Sequence, residues 1–389
     1  MALPFAPEEF AARTERVREG MGRAGLDVLI VSDPANTCWL TGMEDWSFYT
    51  PQAAVVSLDE DRPLFWCRAM DAPGARRTTW MGADRCVGWP EELVHRDDAH
   101  PFDHLAATLQ RHRTARIGYE GDAMHLTPRA LARLAAGMPD ARLVDAGNLV
   151  NRARVAKSPA EIECMRRAAR IAGGAMRAAA GAIRPGARQC DAAAAILAAQ
   201  VAPDAPFGGD LTAVPPIILA GAAADTAHPA WSDAPFENGQ TVAVELGGAH
   251  RRYTAGLART FQLGAPPRRL IETASAVEEG LEAVLSVLRA GITGAEAHAA
   301  WAAVLARHGL RKDSRIGYSV GIGFAPDWGE RAVSLRPGED EPIPEDVCLH
   351  VMLGMWMDGW GMEMSETVRL AADGAEVLTD FPRGVQVLR

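Results

Sequence analysis

Hydrophobic residues recur at helical spacing in the first stretch of the chain, with Phe10, Val17 and Met21 inside 7–24, and then close up into LDVLIV (26–31). A short apolar run stopped by Ser32, Asp33 and Pro34 predicts a strand entering a loop. AAVVSL (53–58), PLFWC (63–67) and RIGYE (116–120) predict further strands, and 101–112 and 128–137 predict helices. This alternation predicts an α/β domain over residues 1–155.

A boundary follows at Lys157-Ser158-Pro159-Ala160-Glu161. Ser158 as N-cap, Pro159 at the first helical position and Glu161 three residues on make a capping box. The helix it opens presents Ile162, Met165, Ala169, Ala172, Met176 and Ile183 on one face and stops before Pro185-Gly186. Beyond it the pattern predicts a helix near 189–201, strands near 214–220, 241–247 and 253–263, helices near 268–289 and 294–308, and strands to the end. The fold class is therefore α/β in two domains, 1–155 and 156–389, each long enough to bury a core.

Charge narrows the choice of partner. The chain of 389 residues has a net charge of −10 and a pI near 5.5, which argues against nucleic acid and anionic membrane surfaces. The six cysteines show no CxxC or Cys/His spacing and read as reduced thiols of a cytoplasmic protein. No apolar run reaches the ~18 residues that span a bilayer, and no basic, apolar leader opens the chain.

Within VAVELGG, Glu245 follows three small apolar residues in what reads as a buried strand. A carboxylate there is costly unless paired or held for function. Arg252 and Arg259 are the candidate partners if its role is structural. His228, in the loop AADTAHPAWSD, has a side chain suited to moving a proton near neutrality, although a lone loop His is commonly a surface residue. Strand alternation puts Glu363 and Ser365 of GMEMSETVRL on one face and Glu366 on the other, leaving open which carboxylate works. EDWSFY (44–49), PDWGER (326–331) and WMDGW (356–360) gather aromatic and acidic residues, among them Trp46, Tyr49, Trp328 and Trp356. Such walls suit a small cation, and packing alone accounts for about half of these rings. Asp210 in FGGD, Tyr318 in GYSVGIGF and His350 in LHVMLGMW complete the candidate set.

In order and spacing, VAVELGGAHRRYTAGLART (242–260), GYSVGIGF (317–324), LHVMLGMW (349–356) and GMEMSETVRL (361–370) resemble the motifs of the M24 pita-bread hydrolases. The resemblance implies a creatinase-like N-terminal α/β domain followed by a pita-bread α+β catalytic domain. The peptidases of that family hold a metal pair with two Asp, one His and two Glu. Their positions fall here on Glu245, Gly256, Tyr318, Met352 and Ser365. Gly and Met supply no hard oxygen ligand and one carboxylate does not hold two metals, so neither metal nor other cofactor is expected.

Within the group, DPANTCWLTGMEDWSFY (33–49), FGGD (207–210) and KDSRIGYSVGIGFAPDWGERAVSLRPG (312–338) look most like the ectoine hydrolases. That resemblance implies a cytoplasmic homodimer that opens a cyclic amidine with water, taking a small cationic or zwitterionic substrate. Glu245, His228 and Glu366 become the catalytic candidates. Trp46, Tyr49, Asp210, Tyr318, Trp328, His350, Trp356 and Glu363 become the substrate-binding ones. HPAWSD, VELGGAH and Met352-Leu353-Gly354 depart from the ectoine enzymes. A creatinase-like amidinohydrolase, a Xaa-Pro peptidase and a ligand-binding protein without activity remain alternatives.

Overall fold

The computed structural model describes residues 3–388. The chain divides into two units, one ending at Arg154 and the next beginning at Val155.

The first unit is built on a six-stranded mixed sheet. Its order across the sheet is Cys86–Trp89, Leu64–Arg68, Ala53–Ser57, Val28–Val31, Arg116–Tyr119, Arg142–Asp145. Trp66, Trp89, Phe102, Leu105, Ile117 and Leu134 form its main apolar core. The helix expected over 7–24 spans Pro7–Ala24. The segment after the first strand is a helix, Pro34–Thr41, rather than a loop. Asp33 caps it by accepting from the amides of Ala35 at 2.9 Å and Asn36 at 3.1 Å, and Pro34 needs no amide partner in the first turn. The residues that stop a strand here start a helix. Buried Glu120 closes the corner, accepting from the Ser32 and Asp33 amides at 2.8 Å each and from Asn36 Nδ2 at 2.6 Å.

The second unit opens with the predicted capping box. The Ser158 amide donates to Glu161 Oε2 at 2.9 Å and the Glu161 amide to Ser158 Oγ at 3.2 Å, starting the helix Pro159–Ala182. Two long antiparallel strands, Thr241–His250 and Tyr253–Leu263, lie in a larger sheet with Ile217–Ala220, Gly317–Phe324, Cys348–Met352, Ser365–Leu370 and Ala375–Val377. Alternation sorts the two long strands cleanly. Val242, Val244, Leu246, Leu257 and Phe261 pack with Met176 and Ile196 of the helices Pro159–Ala182 and Gln189–Val201. Leu349, Val351, Val368 and Leu370 pack with Val277, Leu281 and Trp301 of the helices Arg268–Val287 and Gly294–Arg307. The alternate residues, Glu245, Gly247, Gly256, Ala258, Thr260, His350 and Ser365, therefore share the helix-free face. Among the described residues no helix is long and apolar enough to cross a membrane.

Candidate active site

Strand pairing brings the predicted positions together. Glu245 stands opposite Ala258 and Ile217, Tyr318 opposite His350, and Met352 opposite Ser365. At their centre is His350, fully buried. Its Nε2 lies 2.7 Å from Ser365 Oγ, its Nδ1 3.4 Å from Tyr318 OH, and the same Nδ1 3.9 Å from Glu245 Oε1. Ser365 Oγ also accepts the Ala258 amide at 2.6 Å, which ties the imidazole to the adjoining strand. Burial drives the His350 pKa down to about 3, so the ring is neutral and serves as a hydrogen-bonding hinge. Tyr318 OH accepts from Trp328 Nε1 at 2.8 Å, and burial raises its pKa, keeping it a phenol. A Cβ on Gly247 would meet the Trp328 ring at 2.7 Å, so glycine there gives the indole its seat.

Two buried carboxylates face this group. Glu363 is pinned through its backbone. Its amide donates to Thr260 Oγ1 at 2.8 Å, and the same hydroxyl donates to its carbonyl at 2.9 Å. One carboxylate oxygen, Oε1, accepts from Trp356 Nε1 at 3.0 Å, while Oε2 is buried with no hydrogen-bond partner. Glu245 is 5% exposed, and no cationic side chain lies within ion-pair distance of it among the described residues. Desolvation, and then repulsion from Glu363, push the Glu245 pKa up. Desolvation also raises that of Glu363, against the pull of the Trp356 N–H and Lys312. Two costly carboxylates, neither paired with a lysine or arginine within ion-pair distance among the described residues and one with an orphaned oxygen, make an arrangement able to accept N–H donors and positive charge.

The other sequence candidates go elsewhere. Glu366 is on the opposite face, where Oε1 accepts from Arg259 Nη2 at 2.7 Å and Arg383 Nε at 3.1 Å, and Oε2 from the Thr379 hydroxyl. The structure places Glu366, expected as a catalytic residue, in a buried ion pair with Arg259 and apart from the group around His350. Arg259, considered above as a partner for Glu245, belongs to Glu366. His228 is exposed in a loop, and among the described residues no hydrogen bond or ring contact joins it to the site. The histidine that the structure brings to Glu245 is His350. Asp210 Oδ2 accepts the Arg252 amide at 3.0 Å, bracing the turn where Arg251 and Arg252 take positive φ. Among the described residues no hydrogen bond joins Asp210 to Glu245 or Glu363. Trp46 and Tyr49 lie in the first unit, 49% and 68% exposed. Sequence reasoning passed over Lys312, whose ammonium stands 4.0 Å from the Trp356 ring centroid. Its rarity was the available signal, since the chain has only two lysines.

The profile of metallopeptidase family M24 matches residues 163–372, and that of the creatinase/prolidase N-terminal domain matches 13–156. The chain belongs to family M24. Ectoine hydrolase of Halomonas elongata is 38% identical over 98% of both chains. An uncharacterized hydrolase/peptidase of Sinorhizobium fredii, y4tM, is 36% identical over 99% of both. An X-Pro aminopeptidase from Thermotoga maritima superposes with a TM-score of 0.80 at 21% identity, covering 96% of this chain and 99% of the other, which shows a shared fold.

The M24 name implies a metal, and the donor set here does not fit one. Of the five positions only Glu245 carries a carboxylate. The Ser365 hydroxyl is taken by the Ala258 amide and His350, and Met352 offers a thioether. The room beside Gly256 is filled, because a Cβ there would lie 2.8 Å from His350 Cε1. Among the described residues no group of three or more His, Cys, Asp or Glu is placed to hold a metal ion. At the centre of these five positions stands the His350 imidazole.

Proposed function

We propose that the protein hydrolyses a non-peptide C–N bond in a small amidinium compound, with ectoine the first candidate, and does so without a bound divalent metal. The observation that carries the reading is the buried pair Glu245 and Glu363, neither in an ion pair with a lysine or arginine among the described residues, with the orphaned Glu363 Oε2. A planar amidinium offers N–H donors and a delocalised charge that match two carboxylates. Trp328 and Trp356, bound through their N–H edges to Tyr318 and Glu363, supply flat apolar walls. The ectoine hydrolase relative, alike over nearly the full length, supports the choice of substrate.

In this reading Glu363 holds a ring N–H, and Glu245 either takes a proton from the attacking water or attacks the amidinium carbon itself. Water adds oxygen to that carbon and the C–N bond breaks. The leaving nitrogen gains the proton, and the carbon ends as an amide carbonyl. An amidinium carbon is already electrophilic, which lessens the need for a Lewis acid. Neutral His350 stands beside the Glu245 carboxyl, its Nδ1 3.9 Å from Oε1, and because burial keeps it neutral it does not take over the proton-carrying role that the sequence offered to His228. The implied homodimer is part of the same proposal, checked by light scattering. The broad apolar side chains Trp46, Tyr49, Met70 and Met124 exposed on the first unit suit such a contact.

The test is turnover of ectoine, hydroxyectoine, creatine and a Xaa-Pro dipeptide before and after exhaustive chelation. Ring opening of ectoine that survives chelation is expected. Dipeptide cleavage restored by a divalent metal overturns the reading, and binding without turnover of any of the four makes the protein a binding module.

A further inference from the structure

All but two of the 40 basic side chains are arginine, and both lysines occupy places where a compact ammonium is needed. Lys157 is committed to a buried pair, with Nζ 2.5 Å from Glu330 Oε2 and 2.8 Å from the Val155 carbonyl. Lys312 is different. Among the described residues no carboxylate lies within ion-pair distance of it. Its Nζ donates to the Gly354 carbonyl and sits over the face of Trp356, 4.0 Å from the centroid. The edge of the same indole donates to Glu363 Oε1 at 3.0 Å. A Cβ on Gly354 would stand 2.6 Å from that ring, so carbonyl, ammonium and indole form one tight stack ending on the carboxylate. Cation–π attraction is strongest where the cation is desolvated. The planar five-donor fork of arginine does not suit a place with one carbonyl acceptor and one ring face.

We propose that Lys312 is the positioning residue for Glu363: it clamps Trp356 so that the indole N–H takes Oε1 and leaves Oε2 for the ligand, and it supplies the positive charge that keeps this carboxylate available to a cation. The proposal rests on the cation-binding reading of the two carboxylates. The charged and titratable groups about Glu363 are Glu245 from the Thr241–His250 strand, Tyr318 and His350 from the next strands, and Lys312 from the segment ahead of Gly317. Glu245 repels the Glu363 anion, buried Tyr318 and His350 are neutral, Arg315 lies over the Tyr318 ring at 4.3 Å, and the repulsion is opposed by the Trp356 N–H and by the charge of Lys312. Electrostatic attraction between Lys312 and Glu363 acts on both groups, while burial brings the Lys312 pKa down to about 8.

The experiment follows the 1H–15N signal of the Trp356 indole in the ligand-free protein as a function of pH, assigned by its loss in Trp356→Phe. The wild-type signal should titrate with Glu363. In Lys312→Met, which keeps the stem over the ring and removes the charge, the inflection should move up by about one pH unit or more. Lys312→Arg should keep the inflection near the wild-type pH and displace the signal at every pH, because it returns the charge and not the fit. A Met variant titrating as the wild type does overturns the proposal.

Should Lys312→Met fail to fold, Glu363→Gln decides from the other side. Amine acylation of Lys312 followed by mass spectrometry, with buried Lys157 as internal reference, should show the Lys312 pKa falling once the carboxylate is gone, and an unchanged pKa overturns the proposal. With ectoine as substrate, the acid limb of kcat/KM should shift upward in Lys312→Met, as the indole signal does. If the wild type leaves ectoine intact, the substrate reading fails while the indole titration still judges Lys312.

Discussion

His350 occupies the space that a side chain on Gly256 would need: a Cβ at position 256 would lie 2.8 Å from Cε1, 2.9 Å from Nδ1 and 3.0 Å from Nε2 of the imidazole. An acidic metal ligand at 256 and this histidine at 350 exclude each other. The Ser365 hydroxyl holds His350 in that space by bridging it to the Ala258 amide.

Gly256→Ala should therefore cost about 1–3 kcal/mol, as overpacking of a filled core does. Adding His350→Ala should recover most of that, giving a coupling energy well outside additivity. Denaturant unfolding of the two single variants and the double variant measures it. Additive losses would mean that the two positions do not compete for space.

Glu245→Gln should lower kcat on ectoine by about 10²–10⁴-fold, the usual worth of a positioned acid–base or nucleophilic group. Ligand affinity should change far less, because Glu363 remains. Isothermal titration alongside steady-state kinetics separates the two effects. Near-normal turnover would remove Glu245 from the mechanism.

The carboxylate pair should make stability depend on pH. Burial raises both folded-state pKa values, so the folded protein favours the protonated forms. Their contribution is complete below the ordinary carboxylate range and is lost as pH rises through the raised values. Glu363→Gln should then stabilise the protein at about pH 8, where the wild type must bury charge, by roughly 2–4 °C in Tm for each ~1 kcal/mol regained. The difference should close as pH falls toward about 4. A variant less stable than the wild type at alkaline pH would show that the pair is compensated in the folded state.

Glu366→Gln should behave in the opposite way. It leaves Arg259, fully buried, without its charge partner and should destabilise by about 3–5 kcal/mol. The folded fraction should keep kcat within a few-fold, and His228→Ala should keep both kcat and stability. Thermal melts with activity measured well below the melting range test both variants. A selective loss of kcat in Glu366→Gln would return that residue to the active site.

Much of this site was legible in the chain because it depends on short-range rules. Alternation along a strand sends Glu363 and Ser365 one way and Glu366 the other, whatever the strand packs against. The Ser158–Glu161 box starts its helix by local hydrogen bonds, and a carboxylate among small apolar residues marks Glu245 as costly. Local rules misread Ser32-Asp33-Pro34, since the same residues end a strand and cap a helix. Which of these applies depends on Glu120, more than 80 residues away, holding the Ser32 and Asp33 amides.

The sequence alone determined the periodicities, the caps, the family frame and the shortage of metal ligands within it. Only the tertiary structure decided which side chain met which charge. Arg259 goes to Glu366 instead of Glu245, Asp210 to a turn amide, His350 into the space beside Gly256, and Lys312 onto the ring that holds Glu363. Each of these is a contact between strands or loops tens of residues apart. Burial and electrostatic partnership are properties of such contacts, and a linear pattern records the cost of a buried charge without recording what relieves it.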